Sequence, residues 1–352
     1  MLKHRTAVVA AGIALVALAA AGCNRGSSSG GGGASGGSGG GGGGKVGIDQ
    51  PRSDSDFWNS YSKYIESGIS STGIDALPRT NSQNQITQLA ANVKSLVAQG
   101  AKAIIMAPQD TAAVATTLDE LAGKNIPAIS VDTRPDNGKV YMVVRADNKA
   151  YGQKACKFLG DKLQNKGTIV EFEGDLASIN GRDRSEAFGD CMKQNYPGIK
   201  VLAEETQWKG DVASAKLQND LNQGPVNGIY MQAGGVFLAP TIALLQQKNL
   251  LVPPTDPKHV FIVSNDGIPQ EFAAIKAGQI DATVSQPADL YAKYALFYAK
   301  AALAGQKFNP GPTDHQSNII TIPNGLEDQL PAPLVTKDNV DDSSLWGNQV
   351  GK

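Results

Sequence analysis

From Lys45 onward the chain alternates between two hydrophobic periods. Short β-branched runs, "KVGID", "IDALP", "AKAIIMA" and "IPAISVD", are separated by stretches of helical spacing at 57–70, 83–99 and 111–122. In the second stretch Ile86, Leu89, Ala90, Val93, Leu96 and Val97 recur at i, i+3, i+4 and i+7, which makes one apolar helix face. The pattern restarts after Asn148, with helices predicted at 149–163, 181–195, 211–222, 237–248, 269–277 and 290–303. Between them lie "GTIVEFEG", "IKVLAEET", "VNGIYM", "HVFIVSND" and "IDATVSQ". Repeated strand–helix order predicts doubly wound parallel sheets, and two successive α/β halves predict two lobes of like architecture.

The first 44 residues read differently. Lys3, His4 and Arg5 form a positive n-region, and Ala7 to Ala21 is an unbroken apolar or small run of about fifteen positions. That is short of the ~20 residues a spanning helix needs, so it reads as a signal-peptide core. It ends in Ala20-Ala21-Gly22-Cys23, which resembles a bacterial lipobox with Ala20 where Leu is usual. Residues 1–22 are therefore expected to be a lipoprotein signal and Cys23 the lipid anchor; an ordinary secretory signal is the alternative. Residues 26–44 are Gly, Ser and one Ala, a flexible coil with a reach of roughly 25 Å.

Composition narrows the function classes. The 352 residues suit two lobes, and 32 Lys+Arg against 33 Asp+Glu give no nucleic-acid footprint. Three cysteines and three histidines, with no C-x-x-C and no H-E-x-x-H, offer no metal site. No cofactor motif is present: the Gly tract matches G-x-G-x-x-G, but no strand precedes it.

In open parallel sheets ligands sit beyond the carboxyl ends of the strands. After the successive strands come Asp54, Asp56, Phe57 and Trp58; Gln109 and Asp110; Asp132 and Arg134; Asn180, Arg182 and Arg184; Trp208; Ala-Gly-Gly at 233–235; Asp266; and Gln286. Aromatic faces cover the C–H side of a sugar ring, while Asp, Asn, Gln and Arg pair with vicinal hydroxyls.

From Lys45 to about Phe308 the chain resembles the ribose-type branch of the periplasmic binding proteins, the extracytoplasmic sugar receptors of ABC importers. The resemblance rests on "DFWNSYSKYIES", "GAKAIIMAPQDTAAV", "KNIPAISVDT", "RADNKAYG", "GRDRSEAF" and "FIVSNDGIPQEFAAIKAGQIDATVSQPADLYA", in that order. It implies the type I fold, two lobes joined by a hinge, with ligand contacts at Phe57, Trp58, Asp132, Arg184, Trp208, Asp266 and Gln286, and Asn148 near the hinge. Asp54, Arg134, Arg145, Asn180 and Gln232 are further candidates. Two positions depart from the pattern: Gln232-Ala233-Gly234 stands where the family shows Asn-Asp, and Thr133 where it shows Arg. Ligand identity is therefore not carried over, and the extra arginines leave a sugar acid open.

Structural readings stand beside these. Trp58 could staple the first helix, Asp56 is expected to cap it, Arg182 is expected to be structural, and His259 and His315 are expected at the surface. Cys156 and Cys191, on neighbouring helices of an exported chain, are expected to pair. The lobes are expected at 45–146 plus 287–318 and at 147–286 plus 319–352, with crossovers near Ala146-Asp147, Gln286-Pro287 and Asn318. The resulting expectation is a monomeric, lipid-anchored, non-enzymatic receptor on the outer face of the cell membrane. It would capture a sugar or polyol and deliver it to a permease whose ATPase is a separate subunit. The alternatives are a receptor presenting its ligand to a signalling sensor, or an extracellular α/β enzyme.

Overall fold

The computed structural model describes residues 43–350, so Cys23 and the signal sequence lie outside the described residues. The first lobe begins with β1 (Lys45–Gln50), α1 (Asp56–Thr72), β2 (Thr80–Asn81), α2 (Ile86–Ala98), β3 (Ala101–Met106), α3 (Ala115–Gly123), β4 (Ala128–Val131) and β5 (Met142–Ala146). The chain then builds the second lobe from α4 (Asn148–Leu163), β6 (Gly167–Glu173), α5 (Ile179–Asn195), β7 (Ile199–Glu205), α6 (Gly210–Gln223), β8 (Gly228–Met231), α7 (Gly234–Gln247), β9 (Phe261–Asp266), α8 (Pro269–Lys276) and β10 (Ala282–Ser285). It returns to the first lobe for α9 (Ala288–Leu303), β11 (Gly311–Pro312), β12 (Asn318–Ile322) and β13 (Gly325–Leu330), and ends on the second with β14 (Leu334–Thr336) and a 3₁₀ turn at Trp346–Asn348.

The first sheet runs β11-β12-β13-β5-β4-β3-β1-β2 and the second β14-β10-β9-β8-β6-β7. Both are parallel except for the antiparallel additions β11, β12 and β14. Each sheet is apolar on both faces and covered on both. Val46, Ile48 and Val131 pack with α1 and α9 on one side of the first sheet, while Ile104, Met106 and Val143 meet α2 and α3 on the other. In the second, Val170 and Met231 pack with α6 and α7, and Ile169 and Tyr230 with α4 and α5. Two-sided burial is what makes these strands read as near-continuous hydrophobic runs. In each sheet the strand order reverses beside the first strand, between β1 and β3 and between β6 and β8. Such switch points open crevices at the carboxyl ends, and those of the two lobes face each other.

Helices α4 and α5 approach so closely that a Cβ on Gly152 would lie 2.3 Å from the Arg184 carbonyl oxygen. Cys156 on α4 and Cys191 on α5 are joined by a disulfide, with Cα atoms 6.2 Å apart.

Several expectations are corrected. The third crossover is not near Asn318 but at Pro331–Pro333, because β12 and β13 form a hairpin that adds to β5 of the first sheet. Residues 319–330 therefore belong to the first lobe. The tail beyond β14 packs on α8, and its Trp346 sits edge-on to Phe57 at 6.0 Å. "IDALP" makes only the single bridge Val46↔Ala76, and the paired strand moves on to Thr80–Asn81; Pro78 has no N–H for a ladder. Ser55, not Asp56, is the N-cap of α1. His259 is buried rather than superficial: Nε2 lies 3.1 Å from Asp281 and Nδ1 2.8 Å from the Val252 carbonyl. His315 stacks on Tyr294 at 3.8 Å and reaches the buried Asp328 at 2.9 Å.

Candidate functional site

The two crevices enclose a narrow cavity of about 40 Å³ between the lobes. That is room for a water or two, well below the roughly 300–1,000 Å³ usual for small-solute sites, so a solute enters only with the lobes parted. The first lobe lines it with Arg52, Ser55, Phe57 and Trp58 after β1, Gln109 after β3 and Asp132 after β4. The second contributes Asn180 and Arg184 from α5, Trp208 after β7, Ala233 and Val236 at β8–α7, Asp266 at the end of β9 and Gln286 after β10. All the residues that the resemblance puts first, and Asn180, are thus brought together.

Local backbone geometry aims them. Asp132, Trp208 and Asp266 stand at positive φ (64°, 55° and 124°), each where a strand turns into its loop. Non-glycine residues hold such angles at a cost of roughly 1–3 kcal/mol each, which concentrates at binding sites. Gly174 makes room for the indole of Trp208: a Cβ there would fall 2.0 Å from its ring. Trp58 packs edge-on against Phe57 at 5.2 Å and Tyr61 at 5.3 Å, so the first-lobe wall is a rigid aromatic cluster.

Arg184 is the centre of the second-lobe side. Its Nε donates to Asn148 Oδ1 at 2.6 Å and its Nη2 to Gln286 Oε1 at 2.7 Å, while Nη1 donates to the Gln232 carbonyl. It thereby ties together two chain crossovers, and its guanidinium lies 5.8 Å from the Trp208 ring. Asp132 Oδ2 accepts from Asn180 Nδ2 at 2.9 Å across the cleft, and its other oxygen has no partner among the described residues. The indole Nε1 of Trp208 is likewise buried without one. Burial raises Asp132 from 3.8 to about 6, against the pull of Arg184 and Arg145 and the Asn180 hydrogen bond. Burial also raises Asp266, opposed by the Gly235 N–H (2.7 Å to Oδ2) and by Arg184. Glu271, buried behind Asp266, is raised by burial and by that neighbouring carboxylate.

The other candidates lie elsewhere. Asp54 is exposed and paired with Arg52. Arg145 is fully buried, bonding Asn180 at 2.9 Å and Asp183 at 3.1 Å, with Glu327 at 3.9 Å. Arg134 reaches the same Asp183 and Glu327. Gln232 turns away from the cavity: Nε2 donates to Glu171 and Ser185, each at 2.8 Å, and Oε1 accepts from Gly174 N–H at 3.1 Å. A buried glutamate across the neighbouring strand captures that amide, a tertiary contact with no local sign. Sequence reasoning noted Gln109 and Ala233 after strand ends without placing them among the ligand contacts, and passed over Arg52, Ser55 and Val236, which also follow strand ends.

The cleft is closed by direct contacts. Arg182 Nη2 meets both Asp136 oxygens at 2.6 and 2.8 Å, and Thr111 bonds the Ala177 carbonyl and the Ile179 N–H. On the other flank, Arg52 reaches the Trp208 carbonyl at 3.4 Å. Among the described residues no group of three His, Cys, Asp or Glu could hold a metal ion, and no helix is long and apolar enough to cross a membrane.

Two lobes closing at hinge crossovers over aromatic and carboxylate walls define a solute receptor. The sequence places it more narrowly: residues 46–307 match the periplasmic binding protein domain, and the chain belongs to that family, in its ribose-type, sugar-binding branch of ABC importers. Among its relatives, a xylitol-binding protein of Mycolicibacterium smegmatis is 28% identical over 264 residues, 74% of this chain and 68% of that protein. The ribose import binding protein of Bacillus subtilis is 24% identical, covering 74% of this chain and 82% of its own. Solved structures share the fold: a Mycobacterium smegmatis ABC solute-binding protein with bound glycerol (TM-score 0.73, 23% identity, 88% of this chain and 98% of that one) and a Caulobacter myo-inositol binding protein (0.72, 22%, 85% and 95%). These relatives are binding proteins and not enzymes.

Proposed function

We propose that the chain is a substrate-binding lipoprotein of an ABC importer that captures a neutral sugar or polyol and hands it to a membrane permease. The observation that carries this reading is the pairing of the arginines around the cavity. Arg145 and Arg134 are held by Asp183 and Glu327, Arg182 by Asp136, Arg52 by Asp54, and each nitrogen of Arg184 already donates within the protein. Asp132 and Asp266 are the carboxylates that face a solute, beside the unpartnered Trp208 Nε1 and the second N–H of each Arg184 Nη; they accept hydroxyl protons and oppose the charge of a sugar acid. Phe57, Trp58 and Trp208 supply the faces for the C–H side of the solute. The names and bound solutes of the relatives, xylitol, ribose, glycerol and myo-inositol, agree in being neutral and rich in hydroxyls.

The same reading gives the N-terminus a role. Cys23 would carry lipid, and the Gly/Ser tract would be a tether of roughly 25 Å that keeps the receptor near its permease without fixing its orientation. A thermal-shift screen of neutral sugars, polyols and sugar acids on the chain from Lys45 tests the solute class. A solute at 100 times its Kd adds ~2.7 kcal/mol of stability, and stabilisation by sugar acids alone would reverse the assignment. Loss of membrane association in Cys23→Ala tests the anchor.

A further inference from the structure

We infer that the amino end of the first lobe is a docking face for an anionic lipid surface, so that the resting receptor lies base-down on its membrane with the cleft turned away. This rests on the lipid-anchor reading above. Lys45 opens β1, and the Gly/Ser tract joins the folded chain there. Around it stand Lys102 at the start of β3, Lys124 between α3 and β4, Lys139 before β5, and Lys300 and Lys307 at and after the end of α9, all exposed. Contacts fix their neighbourhood. Lys45 pairs in register with Ala101, a Cβ on Gly44 would fall 2.8 Å from Lys102 Cβ and 3.1 Å from Leu303, and Lys139, Asn125 and Ala302 border one depression.

Charge on this face is one-sided. The lysine ion pairs among the described residues, at Lys94, Lys157, Lys216 and Lys276, use none of the six. Asp75, whose carbonyl accepts the Val46 N–H, is the exposed carboxylate beside them, and Asp119 lies about a turn above the end of α3. Glu66 and Glu120 on the flanking helices are held by Arg79 and Lys94. Helix ends explain only part of the pattern: Lys124 and Lys300 suit the negative termini of α3 and α9, but Lys45, Lys102, Lys139 and Lys307 stand on strand starts and connections. The amino end of the second lobe instead mixes its lysines with Asp161, Asp190 and Asp256, and the tract does not join there. Anionic headgroups attract lysines within about a Debye length, ~8–10 Å. A lipid at Cys23 would keep this face within reach on a tether of roughly 25 Å. The tether leaves orientation free; the charge would set it. Because β1 runs from Lys45 toward the cavity-lining Arg52 and Ser55, a base-down receptor opens its cleft to the solution.

The lipidated chain on vesicles of phosphatidylcholine, with and without phosphatidylglycerol, tests this. Brief acetylation read by mass spectrometry should find Lys45, Lys102, Lys139 and Lys307 protected several-fold on the anionic vesicles at low ionic strength. The protection should vanish near ~1 M salt, where the Debye length is ~3 Å. Lys200 and Lys258, exposed at the amino end of the second lobe, should label alike on both vesicles. The double variant Lys102→Glu and Lys139→Glu, at two exposed positions, should return Lys45 and Lys307 to their neutral-vesicle labelling. Equal labelling of the first-lobe lysines on both vesicles, or equal protection of Lys200 and Lys258, would overturn the inference and leave the anchor intact. Release from the neutral vesicles on flotation, where charge plays no part, overturns the anchor reading and this inference with it.

Discussion

Arg182 of the second lobe holds Asp136 of the first with one guanidinium nitrogen within 2.8 Å of both carboxylate oxygens. The pair stands at the mouth of the cleft, outside the residues that line the cavity, and Thr111 reinforces it by bonding both Arg182 and the start of α5. A contact made only when the lobes meet stabilises the closed state and nothing else. Each side chain is under one-third exposed, so the pair exceeds an ordinary surface ion pair but remains screened.

Asp136→Asn should therefore weaken solute binding without touching the cavity. With ~0.5–1 kcal/mol lost from the closed state, affinity falls about two- to fivefold, chiefly as faster dissociation. Stopped-flow release of a bound solute measures this. Unaltered dissociation would mean that the pair does not contribute to closure.

Trp58→Ala should cost more than ~1 kcal/mol of binding, about fivefold in Kd, through loss of the stacking face. Because Trp58 also packs on Phe57 and Tyr61, thermal stability should fall as well. Trp58→Phe separates the effects: a ring that restores stability but not affinity assigns the indole to the solute. Calorimetry on the folded variants decides.

The structural logic also explains which features the sequence disclosed. Strand–helix alternation revealed both lobes because parallel strands covered on both faces repeat a simple hydrophobic text. Asp132, Trp208, Asp266 and Gln286 were legible because position after a strand end is a local property. The last crossover was misplaced although its signal is present: "ITIPNGLEDQL" turns at Pro323-Asn324 and pairs Ile322 with Gly325, a tight hairpin that was instead assigned, with all of 319–352, to the second lobe. Arg145 and Gln232 could not be read at all. Their partners, Asp183, Glu327 and Glu171, are 38, 182 and 61 residues away, and only the closed lobes bring the arginine to Asn180 and Asp183.

Solute binding should depend on pH, with a definite sign. Closure without solute desolvates Asp132 and raises it from 3.8 to about 6, and Asp266 moves in the same direction. A raised carboxyl favours the protonated closed form below its ordinary value, and that contribution is lost as pH rises through about 6. Measured from the empty closed form, in which burial holds both carboxyls up, hydroxyl donors from a solute favour the ionised carboxylate instead, so filling that form releases protons. Affinity of that closed form for a neutral solute should rise between pH 5 and 7 by up to about tenfold per group and then level off, whereas an empty form that rests open should show no such rise. Calorimetry in buffers of different ionisation enthalpy counts the protons; net proton uptake on binding would contradict the roles given to both aspartates.

The disulfide between Cys156 and Cys191 staples α4 to α5, the pair that supplies Asn148, Asn180 and Arg184. Closing a loop of 35 residues restricts the unfolded chain by an amount worth about 3–4 kcal/mol in the entropic account. Both side chains lie in the apolar layer of Leu159, Phe188 and Met192, so the replacement must also fill space there. The double variant Cys156→Ala and Cys191→Ala should melt several degrees below the wild type, and reductant should destabilise the wild type but not the variant. If the staple acts on folding alone, the variant should still bind its solute with unchanged affinity below its melting temperature. If it also fixes the register of α4 against α5, affinity should fall together with stability, because Arg184 on α5 takes its orientation from Asn148 at the start of α4 at a hydrogen-bond length of 2.6 Å. The closeness of the two helices at Gly152 favours the first outcome: their backbones already interlock one turn from the bridge. Calorimetric binding and thermal melts of the same preparations distinguish the two, and a variant as stable as the wild type, with or without reductant, would show that the bridge is not formed in the folded protein.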